Sequence, residues 1–166
     1  MDPLFCLGLE DLNDLVYYGT SSSLVIKAIE RNRVALLGAL MSMRSMANVL
    51  VDDRHTILEL AIRARSSDDI FRIILSKGAL VNVRSAIDNE YLLNKAIKSG
   101  LFSVVKMMLE CGANPNFSND LGETAMHSAA MMGRKDMYDL LVSFGGDAMR
   151  MDRVHFTPSH YLCMFE

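Results

Sequence analysis

No stretch of this sequence is long and apolar enough to be expected to span a bilayer. The uncharged run Val34–Met43 is cut by Arg44, well short of the roughly 18 apolar residues that a spanning helix needs. The opening residues Met1-Asp2-Pro3-Leu4-Phe5-Cys6 lack a basic region and soon meet Glu10 and Asp11, so a secretory leader is not expected. Basic clusters are missing as well, and the net charge is −3. Neither nucleic acid, held by phosphate neutralisation, nor an anionic membrane surface is an expected partner. Cysteine is scarce: Cys6, Cys111 and Cys163 are odd in number and widely scattered. Zinc ligands paired at short spacing are thereby excluded, and free thiols buried as small apolar groups in a reducing compartment are expected. The expected location is cytoplasmic, nuclear or both.

Motifs of catalysis are missing too. The sequence holds no glycine-rich phosphate loop, nucleophile elbow or metalloprotease motif. Acid pairs such as Asp52-Asp53 and Asp68-Asp69, and the amide–acid pair Asn119-Asp120, fall at turns and helix starts, where they favour N-termini and caps. One such pair is a poor glycosidase signature. No catalytic residue, cofactor site or metal site is expected, and the chain reads as a non-enzyme.

What is present is a repeat. The 166 residues are 51% apolar and 22% charged, enough to bury a core within one domain. Ala96-Ile97-Lys98-Ser99-Gly100 aligns with Ala129-Ala130-Met131-Met132-Gly133 at an offset of 33, and Gly112-Ala113-Asn114 then falls on Gly145-Gly146-Asp147 without a gap. A further step of 33 carries Thr124-Ala125-Met126-His127 onto Thr157-Pro158-Ser159-His160. Upstream, Thr56–Ala61 with Ile70–Ala79 reads as a unit with about one extra residue in its interhelix turn, and Ser22–Asn48 as a degenerate one.

The segment Thr124-Ala125-Met126-His127-Ser128-Ala129, with its period of 33, resembles the ankyrin signature T-P-L-H-x-A. In the preceding unit Tyr91-Leu92-Leu93-Asn94 stands in its place. The resemblance implies an all-α fold, an ankyrin-repeat solenoid of about four and a half helix-turn-helix repeats with short β-hairpin loops. The expected organisation is an N-terminal cap or docking helix over 1–21, then repeats at about 22–50, 51–85, 86–118 and 119–151 and a partial one at 152–166. Thr124 is expected to cap a first helix, and Ala129 and Ala130 to let neighbouring helices approach. Gly100 and Gly133 should end first helices in the left-handed region. Met137, Leu140, Leu141 and Phe144 should form the apolar stripe of a second helix. Met107, Met108, Met126 and Met137 read as core, Ser21–Ser23 as a cap or joint before a helix, and His55 and His155 as solvated turn residues.

Two readings follow from the resemblance. His127 and His160 are expected to bond the turn of the neighbouring unit. Hairpin tips and the ends of first helices are expected to face a common binding groove. Tip residues Ile87, Phe117, Leu121, Val154 and Phe156 are apolar where polar residues are usual, so they either form an exposed patch or fold back on the hairpin stems. Met131 and Met132 close a first helix and offer adaptable apolar contact. Asp88, Glu90, Lys98, Asp120 and Glu123 would rim that centre and set orientation.

The expected function is a non-catalytic adaptor or regulatory subunit with a protein partner, a monomer alone or part of a hetero-complex. Length and repeat number resemble small ankyrin regulators. Among these are inhibitors and cofactors of cell-cycle kinases, which favour a kinase complex, and viral I-kappa-B-like proteins, which make a transcription factor the alternative. The uncovered C-terminal half-unit, with Tyr161, Leu162, Met164 and Phe165, is either a cap or an interface. Self-association through it is the remaining alternative.

Overall fold

The computed structural model describes residues 21–43, 48 and 55–164. The expectations for residues 1–20, Asp52-Asp53, Cys6 and Phe165 lie outside these. Two compact units meet in the chain at Leu80 and Val81. In the first, α1 (Ser21–Glu30) pairs with α2 (Val34–Met43) and α3 (Ile57–Ala64) with α4 (Asp68–Ser76). The pairs stack in layers, α1 on α3 and α2 on α4. In the second, α5 (Leu92–Lys98) pairs with α6 (Phe102–Glu110) and α7 (Ala125–Met131) with α8 (Lys135–Ser143). There α5, α7 and the short α9 (Pro158–Leu162) form one layer and α6 with α8 the other. The described residues thus hold four helix pairs and one further first helix, the arrangement of about four ankyrin repeats.

One register builds most of these helices. Buried apolar residues recur at i, i+1, i+4 and i+5: Leu24, Val25, Ala28 and Ile29 in α1, and Val104, Val105, Met108 and Leu109 in α6. That spacing makes a single stripe on a helix of 3.6 residues per turn. Each buried Leu or Ile contributes about 1.5–3 kcal/mol. In α7 the stripe is Ala125, Met126, Ala129 and Ala130, all buried. Small residues suit a helix that packs against α5, α8 and α9 together.

Helix ends follow from local chemistry. The Thr56 hydroxyl accepts the Glu59 N–H at 3.2 Å and caps α3. At α7 the ring of His127 reaches back, its Nδ1 accepting the Thr124 N–H at 3.1 Å, and His160 does the same for Thr157 at 3.0 Å. A left-handed residue sits in every interhelix turn: Asn32, Arg65, Gly100 and Gly133. Thr56 to Arg65 spans the same nine positions as Thr124 to Gly133, so the extra residue of that unit falls in the turn beyond Arg65.

Several expectations are corrected. Ser21–Ser23 form the first turn of α1 instead of preceding it. His55 is buried, because its ring lies against the guanidinium of Arg63 on α3. Phe144 is the C-cap of α8 and remains exposed, since the helix stops at Ser143 and Gly145 turns the chain with φ +81°. Met107 is only half-buried. Cys111 and Cys163 are exposed because each caps a helix C-terminus, beyond its apolar stripe.

Within each compact unit a hydrogen-bonded ladder ties successive repeats together. Asn82 Nδ2 donates to the Gly112 carbonyl at 3.0 Å while its Oδ1 accepts the Asn114 N–H at 2.8 Å. Asn116 repeats this with Gly145 and Asp147, both at 2.8 Å. In the first unit Asn48 does so with Gly78 and Leu80. At the next equivalent position stands Met149, which is exposed.

Candidate protein-binding surface

Three hairpins of the second unit carry the predicted surface, and each is built on one side-chain anchor. Asn119 Oδ1 accepts the N–H groups of Leu121 and Glu123, both at 3.0 Å. Asp152 Oδ1 accepts those of Val154 and Phe156 at 2.9 Å, and Ser85 Oγ accepts that of Ile87 at 3.2 Å. A backbone bond closes each turn, from Ser85, Asn119 and Asp152 N–H to the carbonyls of Glu90, Glu123 and Phe156. The anchored residue two positions on is always the apolar tip residue. These anchors escaped the sequence reading, although they too recur at steps of 34 and 33.

The apolar tips divide into two kinds. Ile87, Leu121 and Val154 are 57%, 57% and 63% exposed. Phe117 and Phe156 are 38% and 40% exposed, and both lean on the stems. The Phe117 ring stacks on Tyr91 with centroids 5.2 Å apart, and Phe156 lies 5.7 Å from His160 and from Tyr161. At the end of α7, Met131 is half-buried and Met132 is exposed.

The acidic side chains at the tips are matched within the chain, whereas Arg153, beside Val154, is exposed. Lys98, the last residue of α5, reaches Glu90 at 2.6 Å, and Lys95 reaches Asp88 at 3.0 Å. Asp120 accepts from Arg84 at 3.0 Å and from Asn89 at 2.7 Å, while Glu123 accepts from Asn119 at 2.8 Å. Partial burial pushes the Asp88 carboxyl up, but Lys95 and the Glu90 N–H outweigh it and hold it below the usual range. Asn89, then Arg84, hold Asp120 low.

Neighbouring hairpins are joined. Arg153 N–H donates to the Leu121 carbonyl at 2.9 Å. His127 Nε2 meets the Phe156 carbonyl at 3.1 Å, the bond to the next turn expected of it. Tyr161 donates to Asp152 Oδ2 at 2.6 Å, and this bond, with some burial, pushes the phenol up to about 12. Burial raises Asp152, yet the Tyr161 hydroxyl and the Phe156 and Val154 N–H groups bring it below the ordinary value. His155 is exposed, as expected.

Among the described residues no group of three His, Cys, Asp or Glu side chains could hold a metal, and no helix is long and apolar enough to cross a membrane. A cleft of about 370 Å³ between α1 and α3 is lined by Ile26, Ile29, Glu30, Leu60, Arg63 and Ala64, a set with no nucleophile.

Comparison with known proteins agrees with this architecture. Residues 93–166 match the family described as ankyrin repeats (3 copies). The human 2-5A-dependent ribonuclease is 36% identical over 76 residues, 45% of this chain and 10% of that protein. An ankyrin repeat protein of fowlpox virus is 29% identical over 111 residues, covering 66% of this chain and 33% of the relative. One from Coxiella burnetii is 35% identical over 79 residues, covering 48% and 23%. The chain therefore spans a third or less of each of these relatives. Its residues 93–166 are ankyrin repeats. Ankyrin repeats suggest a protein-binding role and imply protein partners in general.

Proposed function

We propose that the chain is a non-catalytic adaptor or regulatory protein that binds one protein partner across its hairpin tips and the adjoining ends of α5 and α7. The observation that carries this reading is the row of exposed apolar tip residues, Ile87, Leu121 and Val154, one on each of three joined hairpins. Surface-exposed apolar side chains held at one end of a rigid scaffold are characteristic of interaction sites. The bond from Lys98 to Glu90 places the end of α5 beside its hairpin, which supports including Lys98 and, one repeat on, Met131 and Met132. Phe117 and Phe156 would contribute ring edges, and Asp88, Glu90, Asp120 and Glu123 a self-neutralised rim.

A kinase complex such as a cell-cycle kinase is the first partner to test, with a transcription factor the alternative, in the cytoplasm or nucleus. Affinity capture of the tagged protein, with mass spectrometry of the proteins recovered, tests the reading against the double variant Leu121→Glu/Met131→Lys. A stoichiometric partner recovered by the wild type and lost by the variant is the expected result. Recovery of the chain alone by both, with a mass that rises with concentration, would replace the adaptor by a self-associating protein.

A further inference from the structure

We infer that the tip of the first hairpin (Ser85–Glu90) is a movable arm latched by Asp120, opening away from the second hairpin (Asn119–Glu123) when that carboxylate lets go. The second hairpin and the third (Asp152–Phe156) stay locked together. The inference uses contacts within the chain only and holds whether or not the tips bind a partner.

The locked joint sets the standard of comparison. Between the second and third hairpins Arg153 N–H donates to the Leu121 carbonyl at 2.9 Å, and His127 Nε2 meets the Phe156 carbonyl at 3.1 Å. The backbones lie so close that a Cβ on Gly122 would come within 3.1 Å of both Asp152 Cα and Arg153 N. Backbone bonds of this kind join no full charges, so salt hardly weakens them.

One repeat earlier both ties are missing. The counterpart of Arg153 is Asp120, whose N–H has no acceptor among the described residues. The counterpart of His127 is Asn94, a shorter side chain whose buried Nδ2 has no partner. It does not reach the Glu123 carbonyl, the counterpart of that of Phe156.

Side chains hold the first joint instead. At the stem Arg84 Nη2 donates to the Ser118 carbonyl at 2.9 Å, and Tyr91 stacks on Phe117. Beyond the stem the polar links among the described residues all run to one carboxylate. Arg84 Nη1 donates to Asp120 Oδ1 at 3.0 Å and Asn89 Nδ2 to Oδ2 at 2.7 Å. Asp88 and Glu90 are paired with Lys95 and Lys98 of α5, which keeps the arm on its own repeat whether the latch is closed or open.

The latch is weak by construction. The Asp120 side chain is 66% exposed, and an ion pair so exposed is worth little and is screened by salt. It also has a rival on the third hairpin. Arg153 is exposed, has no ion pair among the described residues, and its charge acts on Asp120. Asp120 thus stands between Arg84 with Asn89 on one side and Arg153 on the other, and its choice sets the distance from Ile87 to Leu121.

Relaxation dispersion at the backbone amides of the full chain tests this, because it reads the slow exchange of a segment that opens and closes. The wild type should show exchange at Ile87 and Asn89 and none at Leu121 and Val154. Raised salt and Asp120→Ala should each increase the open fraction about two- to fivefold, the weight of one exposed ion pair, at nearly unchanged thermal stability. Asp120→Asn, which keeps an acceptor without the charge, should fall between. Equal exchange at all three tips, or none at Ile87 even in Asp120→Ala, would overturn the arm. Exchange at Ile87 that neither salt nor Asp120→Ala alters would overturn the latch.

Discussion

The chemistry of single residues explains why the last hairpin is stable enough to present Val154. Asp152 receives two backbone N–H groups on one oxygen and the Tyr161 hydroxyl on the other. The folded Tyr161 pKa of about 12 lies above the ordinary 10.0. Its stabilisation is therefore complete below pH 10 and is lost as pH climbs through about 12. Asp152 has the opposite sign: its contribution is present above its ordinary value of 3.8 and is lost as pH falls through the lowered one. Tyr161→Phe should remove the last tyrosinate transition in an ultraviolet titration and flatten the alkaline loss of thermal stability between those limits. A late transition that survives the substitution would assign it elsewhere. Ser128 offers a second check, because its hydroxyl is buried with no partner among the described residues. Ser128→Ala should raise stability by about 1 kcal/mol, read as a higher urea midpoint at unchanged slope. Of the residue roles, the bond of His127 to the next turn was expected from the resemblance, whereas the reach of its ring back to Thr124 was not. The burial of His55 and the pairing of Asp88 with Lys95 depend on side chains meeting across a turn, which no period encodes.

At the scale of elements, the helix pairs were readable because one unit repeats its small and apolar positions every 33 residues. Stacking then demands the same face from each. Where the demand relaxes, the reading failed: Phe144 sits beyond the final turn of α8 and has nothing to pack under. The close fit of α7 yields a sharp expectation. Ala129→Leu should destabilise the protein by about 1–3 kcal/mol through overpacking, measured by chemical denaturation, whereas an unchanged midpoint would mean that α7 is loosely held. The hairpins are equally specific. Gly122 has φ +80°, and a Cβ there would come within 3.1 Å of the backbone of Asp152 and Arg153. Gly122→Ala should therefore disturb the joint between two hairpins, lower thermal stability by about 1–3 kcal/mol and weaken partner binding together with it. The hairpin anchors Ser85, Asn119 and Asp152 went unnoticed because three different residue types do one job, accepting the N–H two positions on.

For the whole molecule, the proposed function rests on what repetition leaves over. Stacking uses the helix faces and the asparagine ladder, and pairing within the chain uses the acidic side chains at the tips. Ile87, Leu121 and Val154 serve neither, and exposing them costs solubility without gaining packing. The sequence left open whether apolar tips would face solvent or fold back. The outcome was split by residue: Phe117 and Phe156 have rings long enough to reach Tyr91 and Tyr161, while the aliphatic tips two residues beyond each anchor cannot. The most direct test of the binding account is calorimetric affinity for the captured partner, measured for the wild type and for Leu121→Glu/Met131→Lys alongside their thermal stability. The account predicts an affinity loss of about a hundredfold or more, the scale of removing buried anchors worth about 2 kcal/mol or more each, at near-normal stability. Equal affinity in a folded double variant would contradict it and move the binding site away from the hairpin tips.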